Sequence, residues 1–112
     1  MFLIVAKYLI PKGYRGMTVF PFVLMKYDFD KENQIFINHE KIHLRQQLEL
    51  LILPFFIWYF FEYLLRLVQY KNAGLAYRNI SFEREAYANE TDLNYLKNRS
   101  FLGFFKYLTL KH

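Results

Sequence analysis

QIFINHEKIHLRQQLELLIL, residues 34–53, has the spacing of an amphipathic helix and stops where Pro54 interrupts it. At about 100° per residue the polar and apolar positions separate into two stripes. One stripe holds His39, His43, Gln46 and Leu50, and the other holds Ile37, Leu44, Leu48 and Leu51. Such a helix buries two of its sides, so we expect its histidines to face the interior of the domain.

The centre of this stretch is His39-Glu40-Lys41-Ile42-His43, which is the HExxH pattern. Two histidines four residues apart lie one above the other on a helix face, so both imidazoles can reach one Zn²⁺ at ~2.0–2.1 Å. Glu40 lies on the flank of that face, where it can accept a proton from a water activated by the metal without being a ligand. A site of this kind needs a third protein ligand.

The third ligand is expected on a second predicted helix, residues 82–98, because the remaining histidine, His112, does not follow the motif at short spacing. Glu83 and Glu85 both lie at the start of that helix, where acidic residues are also favoured simply by the helix dipole. Glu85 is preferred over Glu83 for two reasons. A small residue at i+3 allows the two helices to approach closely, and Asn89 at i+4 offers hydrogen-bond support to a ligating imidazole.

HExxH followed by Glu85-x-x-Ala88-Asn89 resembles the gluzincin clan of zinc metallopeptidases, and in particular its minimal single-domain forms, the minigluzincins. The resemblance covers roughly residues 17–97. The extension HExxHxxQ, which here ends at Gln46, also occurs in small bacterial zincin-like proteins, and Gln46, like Asn89, is expected to support a ligating imidazole. The resemblance implies a small zincin-like domain that binds Zn²⁺ through His39, His43 and Glu85, with Glu40 polarising the water.

The activity implied by this resemblance is zinc-dependent hydrolysis of a peptide bond in a peptide or protein substrate. The substrate is expected to add as a strand beside residues 17–26. No side chain is placed by the motif as a donor to the oxyanion, since Tyr87, Tyr95 and Arg78 are only near the motif residues in sequence. Two alternatives follow. One is a non-catalytic zincin-shaped module that binds a membrane surface or a protein partner. The other is a toxin-like or regulatory peptidase whose cleft is completed by a partner.

The fold predicted from the rest of the chain is a single α+β domain over residues 1–112. It begins with a β-hairpin of strands at 2–10 and 17–27, followed by three to four helices. Pro21 makes the second strand an edge strand or a bulged one. At Pro54 either the first helix kinks or a new helix runs over 54–70 and ends near Gly74. Residues 75–80 are predicted to be a connection, and helices at 82–98 and 101–110 complete the domain.

Aromatic residues make up 21% of the chain. The segment 50–68 is its most apolar stretch. It can be a core helix, a helix lying in a membrane interface, or a membrane-spanning helix. A single span here would place residues 39–43 and Glu85 on opposite sides of the bilayer, so spanning and a shared metal site exclude each other. Glu62 and Arg66 are four residues apart and are expected to pair.

Composition and charge exclude several classes of protein and partner. The absence of cysteine excludes disulfide scaffolds, cysteine-ligated metal sites and thiol catalysis. The net charge of +5 comes from scattered basic residues, which argues against nucleic acid as a partner and suits an anionic membrane surface. No basic region precedes the apolar residues 2–6, so no signal peptide is expected. We therefore expect a cytoplasmic protein, peripheral to the membrane if the aromatic helix binds one.

Overall fold

A computed structural model describes residues 2–109, which form three short strands followed by five α-helices. The elements are β1 (Phe2–Val5), β2 (Gly16–Val19), β3 (Phe22–Met25), α1 (Gln34–Leu50), α2 (Ile52–Tyr70), α3 (Ala73–Arg78), α4 (Ser81–Asn89) and α5 (Tyr95–Asn98). Short 3-10 segments lie at Lys7–Leu9, Asp28–Glu32 and Gly103–Tyr107. The α+β class is confirmed, with five α-helices where three to four were expected.

The sheet has the order β1-β3-β2, with β1 parallel and β2 antiparallel to β3. The expected hairpin between residues 2–10 and 17–27 is therefore wrong. The second of these segments is itself a hairpin, which turns at Phe20-Pro21, a cis peptide. Proline has no N–H to donate to a β-ladder, so one continuous strand through Pro21 is not formed. As a result β3 is the central strand, and β2 is an edge strand that packs on α1.

The boundary between α1 and α2 confirms the new-helix alternative at Pro54. Asn33 caps α1 by accepting a hydrogen bond from the Phe36 N–H at 3.1 Å. The helix ends at Leu50, and Leu51 takes a positive φ of 64°, which is uncommon for a residue with a side chain. Pro54 then lies in the first turn of α2, where a missing N–H costs no helical hydrogen bond.

The predicted helix at 82–98 is interrupted, because α4 ends at Asn89. The Asn38 side chain of α1 donates to the backbone carbonyls of Asn89, Glu90 and Asp92 at 3.2, 2.8 and 2.9 Å. These contacts satisfy carbonyl oxygens that a helix end leaves without partners. The interruption thus depends on a side chain of another helix, which a local sequence pattern does not reveal.

Two further segments differ from the prediction. The connection predicted at 75–80 contains most of α3, which is capped by Asn72 through the Leu75 N–H at 3.0 Å. Gly74 therefore lies within α3 instead of ending α2. The helix predicted at 101–110 is only the 3-10 segment Gly103–Tyr107, and residue 110 lies outside the described residues.

The core holds α1, α2 and α4 together. Phe55 of α2 packs against a buried cluster of Ile80, Phe82 and Phe104.

The predicted ion pair between Glu62 and Arg66 forms, with Arg66 Nη2 3.1 Å from Glu62 Oε2. Glu62 also accepts hydrogen bonds from the Ser81 N–H and hydroxyl, both at 2.6 Å, which ties α2 to the start of α4. Because α1 also packs directly on α4, the structure is incompatible with α2 as a lone membrane crossing between them.

Candidate metal centre

Three donor atoms from α1 and α4 converge at one buried point. His39 Nε2 lies 3.2 Å from His43 Nε2. Glu83 Oε1 lies 3.3 Å from the first and 3.1 Å from the second. In a tetrahedral zinc site with ligands at ~2.0–2.1 Å, neighbouring donor atoms are ~3.3 Å apart. The three side chains therefore fit the ligand spacing of zinc without rearrangement.

Glu83, and not Glu85, faces the two histidines, so the order of preference inferred from the sequence is reversed. Residues two apart on a helix differ in direction by about 200°. Glu85 points one turn further along α1, where its Oε1 accepts from Gln46 Nε2 at 2.8 Å. Its carboxylate also binds the Arg99 guanidinium and the Tyr95 hydroxyl. The buried Arg99 guanidinium thus binds the Glu85 carboxylate, which the sequence predicted to be a metal ligand.

Each imidazole is oriented by a hydrogen bond at its other nitrogen. His39 Nδ1 lies 2.7 Å from Glu90 Oε1, and His43 Nδ1 lies 2.8 Å from Gln46 Oε1. Since both partners offer oxygen acceptors, each Nδ1–H donates and each Nε2 faces the convergence point, where a neutral imidazole would offer its lone pair to a metal. The structure places Gln46 in the supporting position predicted for it. Glu90 takes the position expected for Asn89, whose side chain instead donates to Glu85 O and the Tyr107 hydroxyl.

The Glu83 carboxylate, the third member of the donor triad, is held in place by a residue of α2. The Tyr59 hydroxyl donates to Glu83 Oε2 at 2.7 Å and leaves Oε1 facing the histidines. Burial opposes the charge of Glu83, but His43 and His39 hold its pKa well below the usual range. Burial likewise opposes a charged His43, yet the Glu83 carboxylate raises the pKa of His43 to about 9. Without a metal, the cluster is therefore held together as an imidazolium–carboxylate pair.

Glu40 lies beside the donor triad without completing it. Its carboxylate is buried and belongs with His39 and His43 to one cluster of ligand-type atoms within 4.8 Å of one another. The Thr18 hydroxyl of β2 donates to Glu40 Oε2 at 3.2 Å. Burial raises the pKa of Glu40 above the ordinary carboxyl value. A carboxylate with a raised pKa next to a metal position suits proton transfer near neutral pH.

Strand β2 closes one side of the site at short range. A Cβ atom on Gly16 would lie 2.5 Å from the Phe36 ring and 3.0 Å from Glu40 Oε1, so only glycine allows this approach. Cavities of about 370 and 540 Å³ flank the strand, and both are lined by Gly16, Glu40, Tyr14 and Tyr77. The smaller cavity also touches His43 and Glu83 and is lined by aromatic residues of α2.

The resemblance implied that a substrate strand adds beside residues 17–26. The strand edge that is free to pair beside the site is shorter than that. The Lys26 N–H donates to the Arg15 carbonyl at 2.8 Å. Because antiparallel pairs alternate, the peptide groups of Gly16 and Thr18 point away from β3. The Gln47 side chain donates to Thr18 O at 2.6 Å and accepts from the Phe20 N–H at 2.7 Å. An added strand therefore has the backbone of Gly16 and the Thr18 N–H available.

Of the three polar side chains noted near the motif, Tyr87 lines the larger of the two cavities beside Glu40, whereas Tyr95 and Arg78 line neither. Tyr95 binds Glu85, and the Tyr87 ring packs 4.5 Å from the His39 ring beneath Arg78. Tyr77, which no sequence pattern singled out, lines both cavities. Burial raises the pKa of its hydroxyl, which therefore stays protonated and able to donate.

No protein-family model, curated protein or solved structure matches this chain. The gluzincin resemblance therefore stays a prediction carried by the motif residues.

Proposed function

We propose that this chain is a zinc-dependent peptidase in which His39, His43 and Glu83 hold the metal and Glu40 is the general base. The observation that carries the proposal is the convergence of two imidazole nitrogens and one carboxylate oxygen at separations of 3.1–3.3 Å. Two His and one Glu are a ligand set of catalytic zinc sites, which keep a fourth position open. Glu40, at the flank of these ligands, matches the base position of HExxH.

The chemistry divides between the metal and the chain. Zinc supplies Lewis acidity and lowers the pKa of a water molecule towards ~7. Glu40, whose pKa burial raises, accepts the proton of the attacking water and delivers it to the leaving amine. The Thr18 hydroxyl holds the Glu40 carboxylate through Oε2 and keeps it beside the metal position.

The substrate proposed for this site is an extended peptide. Its backbone pairs with the open groups of Gly16 and Thr18 at the edge of β2, which lies directly against Glu40. The aromatic wall of the smaller cavity, formed by Phe55, Phe56, Tyr59 and Tyr63, suits an apolar side chain next to the cleaved bond. Tyr77 lines the same cavity and is the proposed donor to the substrate carbonyl oxygen.

The test separates metal binding from catalysis. Purified protein is expected to carry about one zinc per chain, measured by mass spectrometry of the metal, and to cleave members of a fluorogenic peptide mixture. Glu83→Gln should lose the zinc, because one of three protein ligands becomes a poor donor. Glu40→Gln should keep the zinc and lose cleavage, because an amide cannot accept the proton.

Three results would contradict parts of this proposal. Zinc retained in both His43→Ala and Glu83→Gln would reject the ligand set. Zinc lost in Glu40→Gln would make Glu40 a ligand. A zinc-loaded wild type that cleaves no peptide in the mixture would favour the alternative of a non-catalytic binding module.

A further inference from the structure

One side of α2 is apolar and exposed along the whole helix. Its exposed side chains are Leu51, Ile52, Leu53, Phe56, Ile57, Phe60, Phe61, Leu64, Leu65 and Val68, here called the α2 face. Their exposed fractions range from 36% to 75%. Together they expose on the order of 1,000 Å², above the ~300–600 Å² of the largest apolar patch on a typical monomer. By length and composition α2 could cross a membrane.

The charges of α2 lie on its other side. Glu62 and Arg66 are both buried and bind each other, and Glu62 also binds Ser81 of α4. No exposed charge therefore interrupts the α2 face. The same contacts fix the opposite side of α2 to the protein, which leaves the helix able to lie along an apolar surface and unable to be surrounded by lipid.

The surface of the protein exposes more basic than acidic side chains, because half of the ten acidic residues are buried. Among the described residues, nine basic residues and three acidic residues are exposed. Lys71 follows α2 directly. Lys106 lies in the 3-10 segment beside α2, where the Phe105 ring is 5.8 Å from the Trp58 ring and is itself 46% exposed. Cations and exposed aromatic rings thus occur together at the border of the α2 face.

We propose that the α2 face docks on a membrane surface that carries anionic lipids, with α2 lying in the interfacial plane. An apolar helix face bordered by lysine buries its side chains among acyl chains while the ammonium groups contact the headgroups. A second copy of this chain is disfavoured as the occupant, because it would bring the same lysines, Lys71 and Lys106, to the border of the same face. Anionic lipid supplies the opposite charge.

The experiment is co-sedimentation with phosphatidylcholine vesicles with and without phosphatidylglycerol. Wild type is expected to sediment with the anionic vesicles, and less so as salt is raised, because salt screens the lysines. Phe61→Glu should lower the bound fraction by on the order of tenfold, because it buries a charge among acyl chains. Phe29→Glu is the matched control. Phe29 is 67% exposed, similar to Phe61 at 63%, but lies in the 3-10 segment that packs on α1 and β3.

Circular dichroism and zinc content should be unchanged in both variants, since both side chains are exposed. Three outcomes would overturn the proposal. Wild type could stay in the supernatant with both kinds of vesicle. The two variants could lose binding equally. Sedimentation equilibrium could show a wild-type dimer that Phe61→Glu dissociates, in which case a second copy covers the α2 face.

Discussion

Gln46 links the metal position to a buried ionic network. Its amide oxygen faces His43 Nδ1, while its amide nitrogen donates to Glu85 Oε1 and Phe82 O at 2.8 and 3.1 Å. A carboxylate only accepts hydrogen bonds, so Glu85 determines which end of the amide faces His43. Glu85 is in this sense a positioning residue, although it contacts neither imidazole.

Glu85→Gln is therefore expected to weaken zinc binding without abolishing it, by roughly 10–100-fold as for other changes behind a metal ligand. It also leaves Arg99 with Glu49 as its remaining carboxylate partner, so the free energy of unfolding should fall by roughly 3 kcal/mol. Chelator competition measures the first effect, and urea unfolding of the metal-free protein measures the second.

Glu83→Gln is the contrasting variant. It should show no zinc binding at free zinc concentrations at which Glu85→Gln still binds the metal. Equal loss of zinc in the two variants would mean that the roles of the two carboxylates are not distinct.

The pKa of His43 gives zinc binding a pH dependence. In the metal-free protein the Glu83 carboxylate raises this pKa to about 9, whereas zinc binds only the neutral imidazole. Binding below pH 9 must therefore displace a proton, and the apparent affinity should rise by up to roughly tenfold per pH unit between pH 7 and 9. Chelator competition across this range measures the slope, and a flat profile would show that His43 is already neutral.

The same shift contributes to the stability of the metal-free protein with a definite sign. The folded pKa of about 9 lies above the ordinary value of 6.5, so the protonated form is favoured by folding. This contribution is complete below about pH 6.5 and is lost as the pH rises through 9. Zinc bound at this site would take the place of the proton and remove this dependence.

At the scale of elements, the separation of β2 and α1 depends on Gly16. Gly16→Ala would place a methyl group against the Phe36 ring and Glu40 Oε1, so β2 must move away or Glu40 must turn. We expect peptide cleavage to fall by more than tenfold, with the zinc content retained, since displacing a catalytic group by ~1 Å has effects of that size.

Gly74→Ala is the matched control for this substitution. Gly74 lies in α3 with only a 3.4 Å contact to the Asn72 side chain, and alanine favours a helix. It should leave cleavage unchanged and stability unchanged or slightly raised. Cleavage that is unaffected by Gly16→Ala would mean that β2 does not position Glu40.

The features that the sequence predicted well are local ones. The spacing of His39, Glu40 and His43 is a property of one helix, and so is the Glu62–Arg66 pair, so both follow from a 3.6-residue period. The pattern at Pro21 predicts an edge strand or a bulged strand, whereas the structure has a turn there between two strands. The reversal of β2 into β3 follows from pairing across the whole sheet.

The features that the sequence missed depend on contacts between distant segments. The choice between Glu83 and Glu85 depends on Arg99, which is 14 residues beyond Glu85 and past the interruption of the predicted helix. Glu90 reaches His39 only because Asn38 ends α4 nearby. Neither contact is marked in the sequence by a periodic pattern or a motif. It therefore cannot be predicted from one segment at a time.

At the scale of the whole molecule, the acidic residues are concentrated inside. Five of the ten acids are buried: Asp30, Glu40, Glu62, Glu83 and Glu85. Each of these carboxylates accepts a hydrogen bond from a residue on another segment of the chain. Glu62 in addition pairs with Arg66 within α2. The interior thereby gains directional contacts that a small apolar core does not supply, and the surface is left with most of the positive charge.

Because Glu83 of α4 meets His39 and His43 of α1 at one point, a metal bound there would crosslink α1 and α4, and α2 joins the site only through the Tyr59 hydroxyl on Glu83. Zinc that binds the folded chain raises its stability by about 2.7 kcal/mol at a free concentration 100-fold above the dissociation constant. For a domain of this size that corresponds to an increase in Tm on the order of 10 °C. Scanning calorimetry with zinc and with a chelator measures the difference.

The Glu83→Gln variant makes this measurement specific to the site. Its Tm should be the same with zinc and with chelator, because it lacks the third ligand. The amide also removes the ionic attraction to His43, so the variant should unfold slightly below the metal-free wild type at pH 7, where His43 is charged. A Tm increase with zinc that persists in Glu83→Gln would place the stabilising metal elsewhere on the chain, so that the convergence of His39, His43 and Glu83 would not be its site.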